Sequence, residues 1–171
     1  NLGKPQALDI AIKSMSFLKK REPKIKLILI GGGESEEELR LLVKKLNLKD
    51  TVIFCKPIER NKLTKIYSSS FLGLVPLSFN KSLLYALPTK VYEYLICGLP
   101  FISYGASIEL KKLAYASRAG VHIDVCDPKK IAEAIIKLYY DPDKLAEMSY
   151  TAVKYMKQIG ESTQKIFQQI L

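Results

Sequence analysis

Residues 25–30 read I-K-L-I-L-I, a nearly unbroken apolar run closed by three glycines at 31–33. A strand wet on one face alternates apolar and polar residues. A run that is apolar almost throughout is covered on both faces, as in a parallel sheet with helices on each side. Comparable runs follow at Thr51 to Cys55, Phe71 to Leu77, Phe101 to Tyr104 and Gly120 to Val125. The segments between them carry apolar residues at helical spacing, such as Leu8, Ala11, Ile12, Met15 and Leu18. Strand and helix in alternation predict an α/β chain with a doubly wound parallel sheet and helices on both faces. Ligands in such sheets bind beyond the carboxyl ends of the strands. That rule places residues 31–33, 56–59, 78–90 and 105–107 at the binding edge.

Helices are expected over Ser35 to Leu46, Asn61 to Ser69 (with Leu63, Ile66 and Tyr67 inward) and Ser107 to Ser117. Asp127-Pro128 reads as an N-cap followed by proline at the first helical position, opening a helix to Tyr140. Asp141-Pro142 repeats the device for a helix over Asp143 to Gln158. Gly160 is expected to break it, and Ser162 to cap a last helix ending at Leu171. Lys19, Lys20, Arg21 and Lys24 close the first helix as cations opposing its dipole.

At 171 residues, 48% of them hydrophobic, the chain suits one globular domain. No apolar run is long enough to span a bilayer, and no signal peptide is read at the amino end. Lys and Arg outnumber Asp and Glu by 27 to 17, a net +10. This favours an acidic partner, nucleotide phosphates or anionic lipid. Nucleic acid is disfavoured, because no basic motif interleaved with aromatics is present. Cys55, Cys97 and Cys126 are widely spaced beside apolar runs, as expected of reduced, buried thiols in a cytoplasmic protein. His122, the one histidine, lies within a strand run and reads as structural.

The stretch Leu87 to Ile102, L-P-T-K-V-Y-E-Y-L-I-C-G-L-P-F-I, carries the chemistry. Pro88 ends what precedes it, Thr89 suits an N-cap, and Gly98 and Pro100 stop the helix that begins at Lys90. A helix start offers amides to an anion. Lys90 adds a cation, and Glu93, one turn on, adds an acceptor-only carboxylate. Together they suit a ligand bearing both phosphates and hydroxyls, such as a sugar nucleotide. A capped amphipathic helix with two solvated charges accounts for the same residues equally well. Glycines 31–33 follow a strand and precede a helix, but no G-x-G-x-x-G or G-K-[ST] is present. Glu34, Glu36, Glu37 and Glu38 would repel a phosphate there. The glycines are therefore expected to allow close backbone approach, with the pyrophosphate bound elsewhere.

The same stretch resembles the signature of group-1, family 4-like glycosyltransferases of GT-B fold. It is most similar to the subset reading L-P-[ST]-K-x-x-E-Y-L found in capsule, O-antigen and lipopolysaccharide synthesis. N-L-G-K-P-Q at the start, L-I-L-I-G-G-G-E, V-I-F-C-K-P-I-E-R-N-K-L and D-P-D-K-L-A-E-M resemble further pieces in the same order. The resemblance implies that residues 1–171 are the Rossmann-like donor-binding half of a GT-B enzyme. The acceptor-binding N-terminal domain would be absent from this chain, and the first strand of this half would lie just before Asn1.

Carried over by position, Glu93 would bind the ribose hydroxyls, and Pro88, Thr89 and Lys90 would hold the diphosphate. Gly3 and Lys4 would approach the phosphates. Gly32 and Gly33 would floor the cleft, and Pro57, Ile58 and Glu59 would border the base. Tyr85 stands where the usual motif has an earlier glutamate, which leaves the sugar contacts and the stereochemical outcome open. Lys90 and Glu93 would be the catalytic residues. No metal or other cofactor is expected, the donor being a nucleotide-diphosphate sugar, UDP-linked by preference. The acceptor would be a glycan or lipid-linked molecule met through the missing domain, with peripheral membrane contact in the full enzyme at the inner face of the plasma membrane. This fragment alone is expected to be inactive. Two other readings stay open: a nucleotide-binding or epimerase-like domain of the same architecture, and a non-enzymatic membrane-surface module.

Overall fold

The computed structural model describes residues 2–170, with side chains to residue 162. Strand and helix alternate as α1 (Leu8–Arg21), β1 (Leu27–Ile30), α2 (Glu36–Lys45), β2 (Val52–Cys55), α3 (Arg60–Ser69), β3 (Gly73–Pro76), α4 (Lys90–Ile96), β4 (Phe101–Tyr104), α5 (Ile108–Ser117), β5 (Gly120–Ile123), α6 (Pro128–Tyr139) and α7 (Pro142–Ile170). All the strand pairs are parallel, with helices on both sides. β1 pairs with β2, Leu27 opposite Val52. β4 lies between β3 and β5, with Phe101 opposite both Gly73 and Gly120.

The expected single sheet is thus divided into one of two strands and one of three. Alternation along the strands builds two cores. Ile102 and Tyr104 turn towards α1 and α6, while Phe101, Val75 and Leu77 turn towards α4, α5 and α7.

A cavity of about 720 Å³ separates the sheets. β1 forms one wall and residues 71–74 and 76 the other, with Leu63, Ile66 and Tyr67 of α3 and Lys90 and Tyr94 of α4 around them. The Leu27 and Gly31 amides donate to Thr51 and Cys55 of the β2 side. Residues along a parallel strand alternate sides, so the peptide groups of Ile28 and Ile30 face the cavity. Gly73 and Leu77 likewise donate to Pro100 and Tyr104, which turns Leu74 and Pro76 inward. Pro76 has no N–H to offer, and the Leu74 carbonyl accepts the Tyr94 hydroxyl at 3.3 Å, so the β3 edge is blunted. The reading of β1 as covered on both faces is corrected here. Ile28 is 42% exposed and lines the cavity, which α3 faces with its apolar side without burying any of its own residues fully.

Local chemistry sets most of the boundaries. Asp127 accepts the Lys129 amide at 2.8 Å, and Ser107 accepts that of Leu110 at 3.1 Å. Gly98, at φ 66°, stops α4 as expected. Gly105 ends β4 at φ 111°, where a Cβ would run into the Leu77 carbonyl. The expected break at Gly160 does not occur. Ser162, expected to cap a new helix, instead donates to the Gln158 carbonyl from within α7. One glycine costs a helix only about 1 kcal/mol, less than the continuing ladder supplies. The expected end at Leu171 lies outside the described residues. The three cysteines are free thiols and half-buried rather than buried. Desolvation pushes the Cys97 and Cys126 thiols up, which keeps them protonated.

Candidate functional site

Residues 2–6 fasten the carboxyl ends of the two sheets together. The Leu2 amide donates to the Gly32 carbonyl at 3.0 Å, and the Ser35 amide donates back to Leu2 at 3.0 Å. The Ser78 amide, beyond β3, donates to Pro5 at 2.8 Å. The Gly3 amide is held by Gln6 Oε1 at 3.1 Å. The segment from Ser78 to Leu87, placed at the binding edge by the sequence, is anchored at its far end. Ile108 donates to Leu84 at 2.8 Å, and the Ser107 hydroxyl to Ala86 at 2.6 Å. Leu83 and Leu87 pack into the second core, whereas Phe79 and Tyr85 stand 70% and 74% exposed.

α4 starts at this edge, at Lys90. The expected Thr89 cap is not made: Thr89 is already helical (φ −58°, ψ −29°), and its hydroxyl accepts no amide. Its backbone and that of Pro88 do so instead, taking the Val91, Tyr92 and Glu93 amides at 3.1, 3.1 and 3.4 Å. Fewer amides therefore face a ligand than a hydroxyl-capped start would offer, and the cation at this end is the Lys90 side chain. Lys90, Pro88 and Thr89 line the cavity between the sheets. Desolvation there lowers the Lys90 pKa, and the Glu93 charge opposes that shift.

Glu93 is held from α3. The Tyr67 hydroxyl donates to Oε2 at 3.4 Å, and Arg60 pairs with Oε1 at 3.5 Å. Burial, then the Glu93 charge, pushes the Tyr67 phenol up to about 12. Tyr67 lines the same cavity as Lys90, whereas Glu93 does not; the carboxylate touches that wall through the Tyr67 hydroxyl, and its charge is felt at Lys90. Neither Tyr67 nor Arg60 was singled out for the site from sequence. They lie 26 and 33 residues before Glu93, and only the fold brings α3 beside α4.

The remaining candidates are placed around this pair. Gly3 and Lys4 border a separate hollow of about 390 Å³ between α1 and α2. Of the three loop glycines, Gly31 takes the left-handed φ, 121°. A Cβ on Gly32 would meet only Glu36, at an ordinary 3.7 Å, so close backbone approach is demanded at Gly31 rather than at Gly32. Gly33 is exposed beside them. Pro57 and Glu59 are exposed and Ile58 half-buried in the loop after β2, with Glu59 paired to Lys62 at 3.6 Å. His122 Nδ1 lies 2.8 Å from the Oγ of the fully buried Ser103, a contact between strands. Among the described residues no group of three or more His, Cys, Asp or Glu could hold a metal ion, and no helix is long and apolar enough to cross a membrane.

Comparison with known proteins gives this edge its context. A family model described as glycosyl transferases group 1 matches residues 1–155. The chain belongs to the group 1 glycosyltransferases. Among curated relatives, an uncharacterized glycosyltransferase of Haemophilus influenzae is 27% identical over 144 residues, covering 84% of this chain and 39% of the relative. D-inositol 3-phosphate glycosyltransferase 2 of Catenulispora acidiphila is 27% identical over 166 residues, covering 92% of this chain and 38% of the relative. The chain thus spans less than two fifths of the relatives it matches. The GT-B-like fold is shared with the crystal structure of Anabaena HepE in complex with UDP-glucose, at TM-score 0.76 and 19% identity, over 99% of this chain and 46% of that one.

Proposed function

We propose that this glycosyltransferase chain is the donor-binding half of its enzyme, taking a UDP-sugar with Lys90 on the diphosphate and Glu93 on the ribose hydroxyls. The observation that carries this reading is the Lys90–Glu93 pair at the carboxyl edge. A desolvated ammonium in an apolar cavity lacks the solvation that a diphosphate would restore, and a carboxylate one turn away can only accept hydrogen bonds. The UDP-glucose complex of the HepE neighbour agrees with that choice of donor.

In this reading the bond between the anomeric carbon and the diphosphate oxygen breaks, and the diphosphate leaves with the electron pair. Lys90 meets the growing charge, so no metal is needed. The acceptor hydroxyl forms the new bond and gives its proton to a base on the acceptor-binding half or to the departing phosphate. Pro88 and Thr89 border the diphosphate, Gly3 and Lys4 approach its phosphates, Gly32 and Gly33 floor the cleft, and Pro57, Ile58 and Glu59 border the base. The acceptor is a glycan or lipid-linked molecule of surface polysaccharide synthesis, met at the cytoplasmic face of the membrane. The relative named for D-inositol 3-phosphate favours a second class, a phosphorylated polyol.

A thermal-shift series with UDP, GDP and NAD tests the donor. UDP alone should raise the melting temperature, in proportion to the logarithm of its concentration over Kd; stabilisation by NAD alone would overturn the reading. Lys90→Ala and Glu93→Ala should each weaken UDP binding while leaving the ligand-free melting temperature nearly unchanged. Normal binding by both would overturn the site. The isolated chain should turn over no sugar nucleotide onto either acceptor class.

A further inference from the structure

Glu93 is held unequally on its two sides. Oε1 faces Arg60, whose side chain is 83% exposed and free to exchange with solvent or ligand. Oε2 faces the Tyr67 hydroxyl, which is part of a fixed stack. The Tyr67 ring stands edge-on to Tyr94, with centroids 4.9 Å apart and planes at 89°. Tyr94 is fastened in turn by its hydroxyl to the Leu74 carbonyl of β3. The Tyr94 ring lies directly over Gly73, where any Cβ would come within 2.6 Å of it. A strand, two aromatic rings and a phenol hydroxyl thus lead to one carboxylate oxygen. The phenol stays protonated through neutral pH, because burial and the Glu93 charge both oppose its ionisation.

From this geometry we infer that Tyr67 is a positioning residue. It pins Oε2 of Glu93, fixes the rotation of the carboxylate, and makes the site select a ribose over a 2′-deoxyribose. The inference rests on the reading of Glu93 as the ribose ligand. A carboxylate that is free to turn can point both oxygens at one hydroxyl and loses little when the second is missing. With Oε2 pinned, the remaining lone pairs keep a fixed direction, and two neighbouring hydroxyls are needed to use them. Fixing the group before the ligand arrives also removes the cost of ordering it on binding.

The test is calorimetric titration of the 171-residue chain with UDP and with 2′-deoxy-UDP, in wild type, Tyr67→Phe, Glu93→Gln and the double variant. Wild type should prefer UDP by about tenfold or more, the scale expected when a hydrogen bond to a charged group is lost. Tyr67→Phe should weaken UDP by roughly threefold to tenfold and 2′-deoxy-UDP by less than about twofold, so that the preference falls towards that of Glu93→Gln. The double variant should match Glu93→Gln. Equal weakening of both ligands would make Tyr67 merely structural, and an unchanged preference would give it no part; either overturns the inference. If wild type binds no UDP, or Glu93→Gln keeps the full preference, the ribose assignment itself fails, and the inference falls with it. Phenylalanine keeps the ring and its contact with Tyr94, and a melting temperature within a few degrees of wild type will confirm that the variant folds. Should it not, Arg60→Ala supplies a second reading. Removal of the exchangeable partner should leave the preference intact while Tyr67 holds Oε2, and loss of the preference would overturn the inference.

Discussion

A lysine placed among Leu, Ile and Tyr side chains loses hydration that its charge needs, and Lys90 shows the effect in its lowered pKa. The unfolded chain keeps that proton to higher pH than the folded one. Between the lowered value and the ordinary 10.5 the unfolded state therefore binds more protons, and ligand-free stability rises with pH. A bound diphosphate reverses the balance by restoring the ammonium, so UDP affinity should fall as pH climbs through the lowered value, with proton uptake on binding. Titrations between pH 7 and 10 in buffers of different ionisation enthalpy will measure this. Lys90→Arg, which holds its charge throughout that range, should give a flat profile. The helix that carries Lys90 and Glu93 was legible because Pro88 and Gly98 bracket it. The partners of Glu93 were not, since nothing in the spacing of Arg60 and Tyr67 signals a contact made across two helices.

Among the elements, those that end on a side-chain or glycine device are where the sequence put them. β4 was read from Phe101 to Tyr104 and is found there; Ser107, Asp127 and Gly98 each close or open a helix as expected. The misreadings share a cause. Thr89 and Gly160 have the right chemistry for a boundary, but neighbouring backbone satisfies the first turn of α4, and the α7 ladder runs through Gly160 unbroken. Because a Cβ at Gly160 would meet nothing within 4 Å, Gly160→Ala should stabilise the protein by about 0.5–1 kcal/mol. That corresponds to a melting temperature higher by roughly 1–4 °C for a chain of this size, to be read by calorimetry. Asp127→Ala removes a cap that is in use and should cost about 1 kcal/mol by the same measurement.

For the molecule as a whole, parallel strands with helices on both sides could be foreseen from five apolar runs. Their division into two sheets could not, because an apolar run specifies burial and not which edges meet. The same division sets where solvent reaches the interior. β4 is bonded to a neighbour on each side, whereas the amides of Ile28, Ile30 and Leu74 face the space between the walls. Deuterium should accordingly enter those three positions well before the β4 amides, giving a pattern that amide-resolved exchange can read. The facing inner edges of this molecule would then take up label ahead of the strand buried at the centre of its larger sheet.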